Sequence, residues 1–379
     1  MHKAGTPSEA AATPYPAQTV EESHEGRGSS PDMTRAAFWT GKPESVRVFV
    51  YSVLVVALAV AMLVGICAGQ YPVAPGKVLS ILIGWQGEGA ISPMDERIVT
   101  LLRGPRIVLV AICGAGLAMS GAAMQGVFRN PLAAPELLGV SSGAAFGGAV
   151  AILVGFSGAV LLGGAFAAGL FSLVMVGAIS RVGGRSDTTT VILTGVIVGA
   201  FFSALVSVTQ LLADPYNSLP AIVFWLMGSF ATATWDKVLL AAPAIMLGSC
   251  LLWMMRFRIN VLSLGDEEAS ALGIHVERDR WLIFLGISLI VATTVSVAGI
   301  VGWVGIVVPH VARLLIGHDH RHLLPASALL GASYLCVVDT LARSATSTEV
   351  PLGVLTAVIG APFVAIMLRR RQRAEEAMS

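Results

Sequence analysis

Between Leu102 and Gly147 the chain carries two membrane-length apolar segments crowded with Gly, Ala and Ser, joined by a tight polar turn, Arg129-Asn130-Pro131. Small residues at this density fill a water-soluble core poorly. Inside lipid, where packing and not the hydrophobic effect holds helices together, they let backbones approach closely. The stretch predicts a membrane protein of several closely packed helices. Composition agrees, since 55% of the 379 residues are hydrophobic and only 12% charged, about half the charge of a soluble globular chain. A net charge of +1 with no long basic run gives no sign of nucleic-acid binding. Cys67, Cys113, Cys250 and Cys336 sit in apolar segments at irregular spacing, unsuited to a zinc site, and read as small packing residues.

Residues 1–45, rich in Pro, Ser, Thr, Glu and Ala, read as a disordered tail, leaving 46–372 as the transmembrane domain. The run from Val48 to about Ala68 follows a leader too long and too mixed in charge for a signal peptide, and reads as the first span. At about 20 apolar residues per crossing, ten spans are predicted near 47–69, 106–127, 138–155, 158–180, 190–212, 237–255, 281–298, 303–316, 325–342 and 353–369. The expected fold class is all-α and polytopic, with about ten transmembrane helices. The span at 303–316 is short, opens on Gly302 and contains Pro309, as a broken or tilted helix would. Gly139, Gly143 and Gly147, and likewise Gly195 and Gly199, recur at four-residue spacing and read as packing strips.

With the first residue inside, eighteen of the 24 Lys and Arg residues fall on the inner side, and Lys77, Arg97, Arg103, Arg106, Lys237 and Arg343 outside. That bias predicts both termini in the cytoplasm. The longest charged inner loop, Arg256 to Arg280, contains a short helix: Gly265 precedes it, Asp266, Glu267 and Glu268 favour its positive N-terminal end, and Gly273 ends it. A docking knob for another protein and an ordinary solvated connector fit this composition equally. On the other side, Asp214-Pro215-Tyr216-Asn217 is a turn, and Ile222 to Met227 is too short to cross, so a re-entrant or interfacial helix is expected there. Trp225 and Trp235 are placed for an aromatic belt.

No phosphate-binding GxxxxGK[ST] loop, GxSxG elbow or HExxH pair occurs, which leaves a membrane enzyme with little support. Ionisable residues inside spans are few: His310, Asp339 and Arg313, with Asp339 and Arg343 four apart on one helix, spaced to neutralise one another. A proton-coupled carrier uses more buried carboxylates than this. The run His318-Asp319-His320-Arg321-His322 reads as a polar cap and anchor, and no metal site is expected.

Together these segments resemble the FecCD family, the permease subunits of ABC importers for iron–siderophore complexes, haem and cobalamin. The resemblance covers about residues 50–370. It is carried by Leu102-Arg103-Gly104-Pro105-Arg106, Met124-Gln125-Gly126, Arg129-Asn130-Pro131-Leu132-Ala133 and Leu138 to Gly143, then by Gly265 to Gly273, Gly302-Trp303-Val304-Gly305, Val308-Pro309-His310, Asp339 to Arg343 and Gly360-Ala361-Pro362-Phe363. It implies a type II ABC importer permease fold in the bacterial cytoplasmic membrane, a second copy of the chain, two cytoplasmic ATPase subunits and a periplasmic substrate-binding protein. The pathway would run between the copies. No cofactor is expected in this chain, ATP and magnesium being bound by the partner ATPase, and no catalytic residue.

The resemblance also implies roles by position. Arg103, Arg106 and Arg343 would accept acidic residues of the binding protein, against a plain reading as helix-end anchors. The loop containing Gly265, Asp266, Glu267, Ala271, Leu272 and Gly273 would be the coupling helix seated on the ATPase. Asn130 and Leu132, with Thr188 and Thr189, would form the cytoplasmic gate, unless Asn130 only caps the next element. An iron chelate is the favoured cargo, with haem or cobalamin open; an ion-gradient-driven carrier is the alternative of another class.

Overall fold

Long runs of helix-forming apolar residues, interrupted mainly by Gly and Pro, leave the backbone a single way to satisfy its polar groups in lipid, which is within each helix. A computed structural model describes residues 43–84, 91–181, 187–346 and 348–376, and these contain helices and connecting turns but no strand. The tail expected at 1–45 lies, up to residue 42, outside the described residues, as does Arg185 of the inner charge count. In chain order the helices are α1 (Glu44–Cys67), α2 (Pro75–Ile83), α3 (Pro93–Arg97), α4 (Gly104–Val127), α5 (Val140–Leu153), α6 (Gly158–Ser180), α7 (Thr188–Leu212), α8 (Ser218–Leu226), α9 (Trp235–Met254), α10 (Arg256–Leu262), α11 (Asp266–Ala271), α12 (Val276–Ala298), α13 (Val304–Ile316), α14 (His320–Ser344) and α15 (Leu352–Glu376). One wide turn, Ile98–Arg103, runs α3 into α4.

Every predicted span corresponds to a helix, and two of the ten are short. Eight helices are long and apolar enough to cross, while α5 and α13 have 14 and 13 residues. At 1.5 Å per residue each reaches roughly 20 Å, short of a hydrocarbon core about 30 Å thick. Backbone outside the α-helices precedes each, 128–139 (with a 3-10 turn at Pro135–Leu138) before α5 and 299–303 before α13. Such backbone survives at membrane depth only where protein covers it. Here Ser229 N donates to Ala298 O (2.8 Å), Leu352 N to Gly228 O (2.9 Å) and Gly353 N to Met227 O (3.0 Å), knitting three distant turns together. Gly228 and Gly299, at φ 80° and 72°, supply the left-handed turns this junction needs.

Small residues set the layering. About four-fifths of the apolar stretch of α4 and of α12 is buried, against 17% for α15 and 22% for α1. A Cβ on Gly121 would run into the Gly305 backbone, one on Gly114 into Gly331, and one on Gly116 into Ile290. Thus α4 touches α13 and α14 almost backbone to backbone, and its Gly116 receives the Ile290 side chain of α12. Gly143 and Gly147 seat α6, while Gly139 meets Gly195 and Gly199 of α7, so the two predicted strips meet. Cys113 and Cys336 are buried packing residues and all four cysteines are free thiols. Pro309 has no N–H to give the Gly305 carbonyl one turn back; Gln125 Nε2 donates to it instead, at 3.2 Å, and Arg313 donates to Gln125 Oε1 at 2.6 Å.

Candidate functional site

Side-chain contacts gather the charges at two ends. At one, Arg47 meets His322 (2.6 Å), Asn260 donates to Asp319 (2.7 Å), Arg181 pairs with Glu277 (3.8 Å) and Arg280 with Asp266 (2.7 Å). At the other, Lys77 pairs with Asp95 (2.9 Å), Trp235 donates to Thr100 O (2.8 Å) and Arg106 pairs with Glu349 (2.8 Å). The inner and outer loops of the sequence reading thus separate in space.

At the second end the three arginines proposed for docking stand together, turned inward. Arg103 is 8% exposed and donates to Ile66 O, Cys67 O and Tyr71 O at 2.8, 3.0 and 2.5 Å. Arg343, equally buried, donates to Ala68 O (2.7 Å) and Gly65 O. Both satisfy carbonyls at the C-terminal end of α1 that no helical N–H can reach, where cations also suit the helix dipole. Arg106 forks onto Asp339 (2.8–3.1 Å) and reaches Glu349 with its other edge. Asp339 lies 3.6 Å from Arg343, as the four-residue spacing predicted; the nearer partner, Arg106, is 233 residues away and was invisible to local spacing.

At the first end, α11 follows Gly265 at φ 145° and closes at Gly273, φ 80°. Asp266 accepts two hydrogen bonds from the buried Arg280 (2.8 and 2.7 Å), and Asp279, fully buried, pairs with Arg258 at 2.5 Å. These pairs, which the sequence reading missed, brace the loop at both sides. Ala269 faces in, while Glu267, Ala271, Leu272 and Gly273 face out, Leu272 being 63% exposed. Beside it a recess of about 950 Å³ opens between Arg181, Asp266, His275, Arg278 and Trp281.

The predicted gate residues lie in two separate turns. Asn130 Oδ1 accepts from Leu132 N (2.9 Å), closing the turn after α4 as a cap would, and Asn130 remains exposed. Thr188 and Thr189 open α7 after Asp187, whose carboxylate caps Thr190 N at 3.0 Å. The turn Pro135–Leu138 packs on α7 two turns further in, at Gly195. Asp319 caps α14 through Arg321 N. Burial pushes its carboxyl up, but bonds from Arg321 and Asn260 hold it down at about 2. His320 Nδ1 meets Asn260 Oδ1 at 2.7 Å, and no cluster of three metal-ligating side chains occurs among the described residues. Of the two predicted belt tryptophans, Trp235 is 43% exposed, whereas Trp225 turns inward onto Gly148.

Residues 57–370 match the model of the FecCD transport family. The chain is 39% identical over 320 residues to the molybdate import system permease protein MolB of Haemophilus influenzae, covering 84% of this chain and 95% of that relative. It is 44% identical over 301 residues to the cobalamin import system permease protein BtuC of Halobacterium salinarum, covering 79% and 80%. The fold is similar, at a TM-score of 0.77 and 38% identity, to a solved structure described as an inward-facing conformation of an ABC transporter proposed to be of metal-chelate type, with 85% of this chain and 99% of that one covered.

Proposed function

The chain belongs to the FecCD transport family and is an ABC importer permease; from that premise we propose that it carries an iron chelate of the siderophore class, handed over by a periplasmic binding protein. In this reading two copies enclose the pathway in the bacterial cytoplasmic membrane with both termini inside, and two cytoplasmic ATPases drive it. ATP and magnesium belong to those partners, and the chain itself has no catalytic role. Haem and cobalamin are the other cargoes such a permease would take.

The observation that carries the reading is the exposed tip Ala271-Leu272-Gly273, braced from behind by Asp266 and Arg280. A lever must be stiff at its root and apolar at its contact, and closure of the ATPase dimer would then move the whole start of α12. Replacing Leu272 and Gly273 together by Asp is expected to release the ATPase from the purified complex and abolish ATP-dependent uptake into proteoliposomes. Uptake that still responds to the loaded binding protein would refute the assignment. Uptake by the permease alone, stopped by an uncoupler and indifferent to ATP, would favour the ion-driven carrier.

Docking at the opposite end is supported by position and charge. Arg103, Arg106 and Arg343 outnumber Asp339 and Glu349, so the cluster keeps a positive field toward an acidic partner. A direct contact would fall to Arg106, with the partner carboxylate displacing the half-exposed Glu349; Arg103 and Arg343 act on association through their field. For the gate, Asn130, Leu132, Thr188 and Thr189 border the inner mouth, where small polar groups pass a large chelate without holding it.

A further inference from the structure

Glu136 is a carboxylate carried into the membrane. Its turn, Pro135–Leu138, does not lie at the inner surface where α4 ends. Pro135 packs against Gly305, which abuts α4 at Gly121, six residues before Val127. At 1.5 Å per residue the turn therefore sits about 9 Å below the end of α4. Oε2 of Glu136 is covered from solvent and has no hydrogen-bond partner. No ion pair among the described residues involves it. Asp339, the other deep carboxylate, shows what a structural acid looks like here, with Arg106 forked onto it.

The surroundings of Glu136 lead to two sparsely buried helices. A Cβ at Gly302 would stand 3.9 Å from Oε1. The neighbouring Trp303, held at φ 69°, lies on Gly360 of α15, while Leu137 O abuts Gly195 of α7. Glu136 thus lies between α7 and α15, two of the least buried spans, at 28% and 17%. A covered carboxylate oxygen with no partner among the described residues is open to a group from outside the chain.

We propose that Glu136 lines the translocation pathway and selects cargo by charge, accepting hydrogen bonds or a positive charge from a neutral or cationic chelate and repelling free anions. This rests on the reading above that the pathway runs between two copies of the chain, and it adds that α7 and α15 line it. An ionised Glu136 carboxylate repels an approaching oxyanion.

The test uses the importer complex with its ATPase and binding protein in proteoliposomes, with ATP hydrolysis as the check on assembly. Four labelled probes span the charge range: a cationic ferric trihydroxamate, neutral cyanocobalamin, haemin with its propionates, and molybdate. The wild type is expected to take up the trihydroxamate or cyanocobalamin and to exclude haemin and molybdate. Glu136→Gln slows the accepted probe about tenfold, the loss of one charge-assisted contact, Glu136→Asp retains most uptake, and Glu136→Lys stops it. Uptake of molybdate or haemin by the wild type overturns the proposal, as do Gln and Lys variants that hydrolyse ATP and transport at the wild-type rate. A Gln variant that fails to assemble marks Glu136 as structural and overturns it too. A wild type that hydrolyses ATP and moves none of the four probes refutes the chelate-importer reading itself.

Discussion

Asp339 and Glu349 hold the same arginine and differ in what their loss should do. Asp339 is fully buried with Arg106 and Arg343 on it, whereas the Glu349 side chain is 36% exposed. Removing one partner of a buried pair leaves an uncompensated charge and costs on the order of 3 kcal/mol; an exposed pair contributes under about 1 kcal/mol. Asp339→Ala should therefore lower the thermal unfolding temperature in detergent markedly, and Glu349→Ala barely, because water can take Glu349's place. Equal shifts for the two would show that burial does not decide the strength of this cluster. The i,i+4 spacing made the Asp339–Arg343 contact legible from sequence. The tighter contact to Arg106 was not, since it depends on how α4 is laid against α14.

Among the elements, α4 is the one whose packing tolerates least. Its Gly121 has no room for a side chain because the Gly305 backbone occupies the space, whereas a Cβ on Gly199 would find its nearest neighbours at 3.7 Å. Gly121→Val is expected to destabilise the fold by about 1–3 kcal/mol, read as a lower unfolding temperature and a smaller yield of monodisperse protein. Gly199→Ala should match the wild type. Comparable yields and unfolding temperatures for both would mean that α4 and α13 separate more easily than their contact implies. The breaks around α5 and α13 show where element-level reading stops. Pro309 and Gly302 announced a disturbed helix at 303–316, but nothing local announced that 128–139 returns into the bilayer. That turn is held by Gly305 and Gly195, both distant in sequence.

For the whole molecule, the two charged ends make a directional prediction. With all four cysteines replaced by Ala, the single cysteine of a Lys237→Cys variant should react with an impermeant maleimide added to intact cells, and that of Arg278→Cys only after the membrane is opened. The reverse labelling would invert the molecule and exchange the ends given to ATPase and binding protein. The orientation expected from the Lys and Arg count and the clustering in space have a common cause. Alternate loops of a multi-span chain must share a side, and each loop's charges find their partners among those neighbours.

The order of residues by itself determined that this chain is helical and membrane-spanning, roughly where each helix lies, which loops share a side and which loop projects. Those properties follow from composition and period, because lipid admits few backbone solutions and each is decided within about twenty consecutive residues. Tertiary structure alone decided that Arg103 and Arg343 turn inward to cap α1, that Gln125 repairs the helix Pro309 breaks, that Arg280 braces the projecting loop, and that Glu136 Oε2 is covered with no partner among the described residues. The physical reason is the same in each case: a polar group's role is set by the atoms within hydrogen-bonding reach, and here these come from distant parts of the chain.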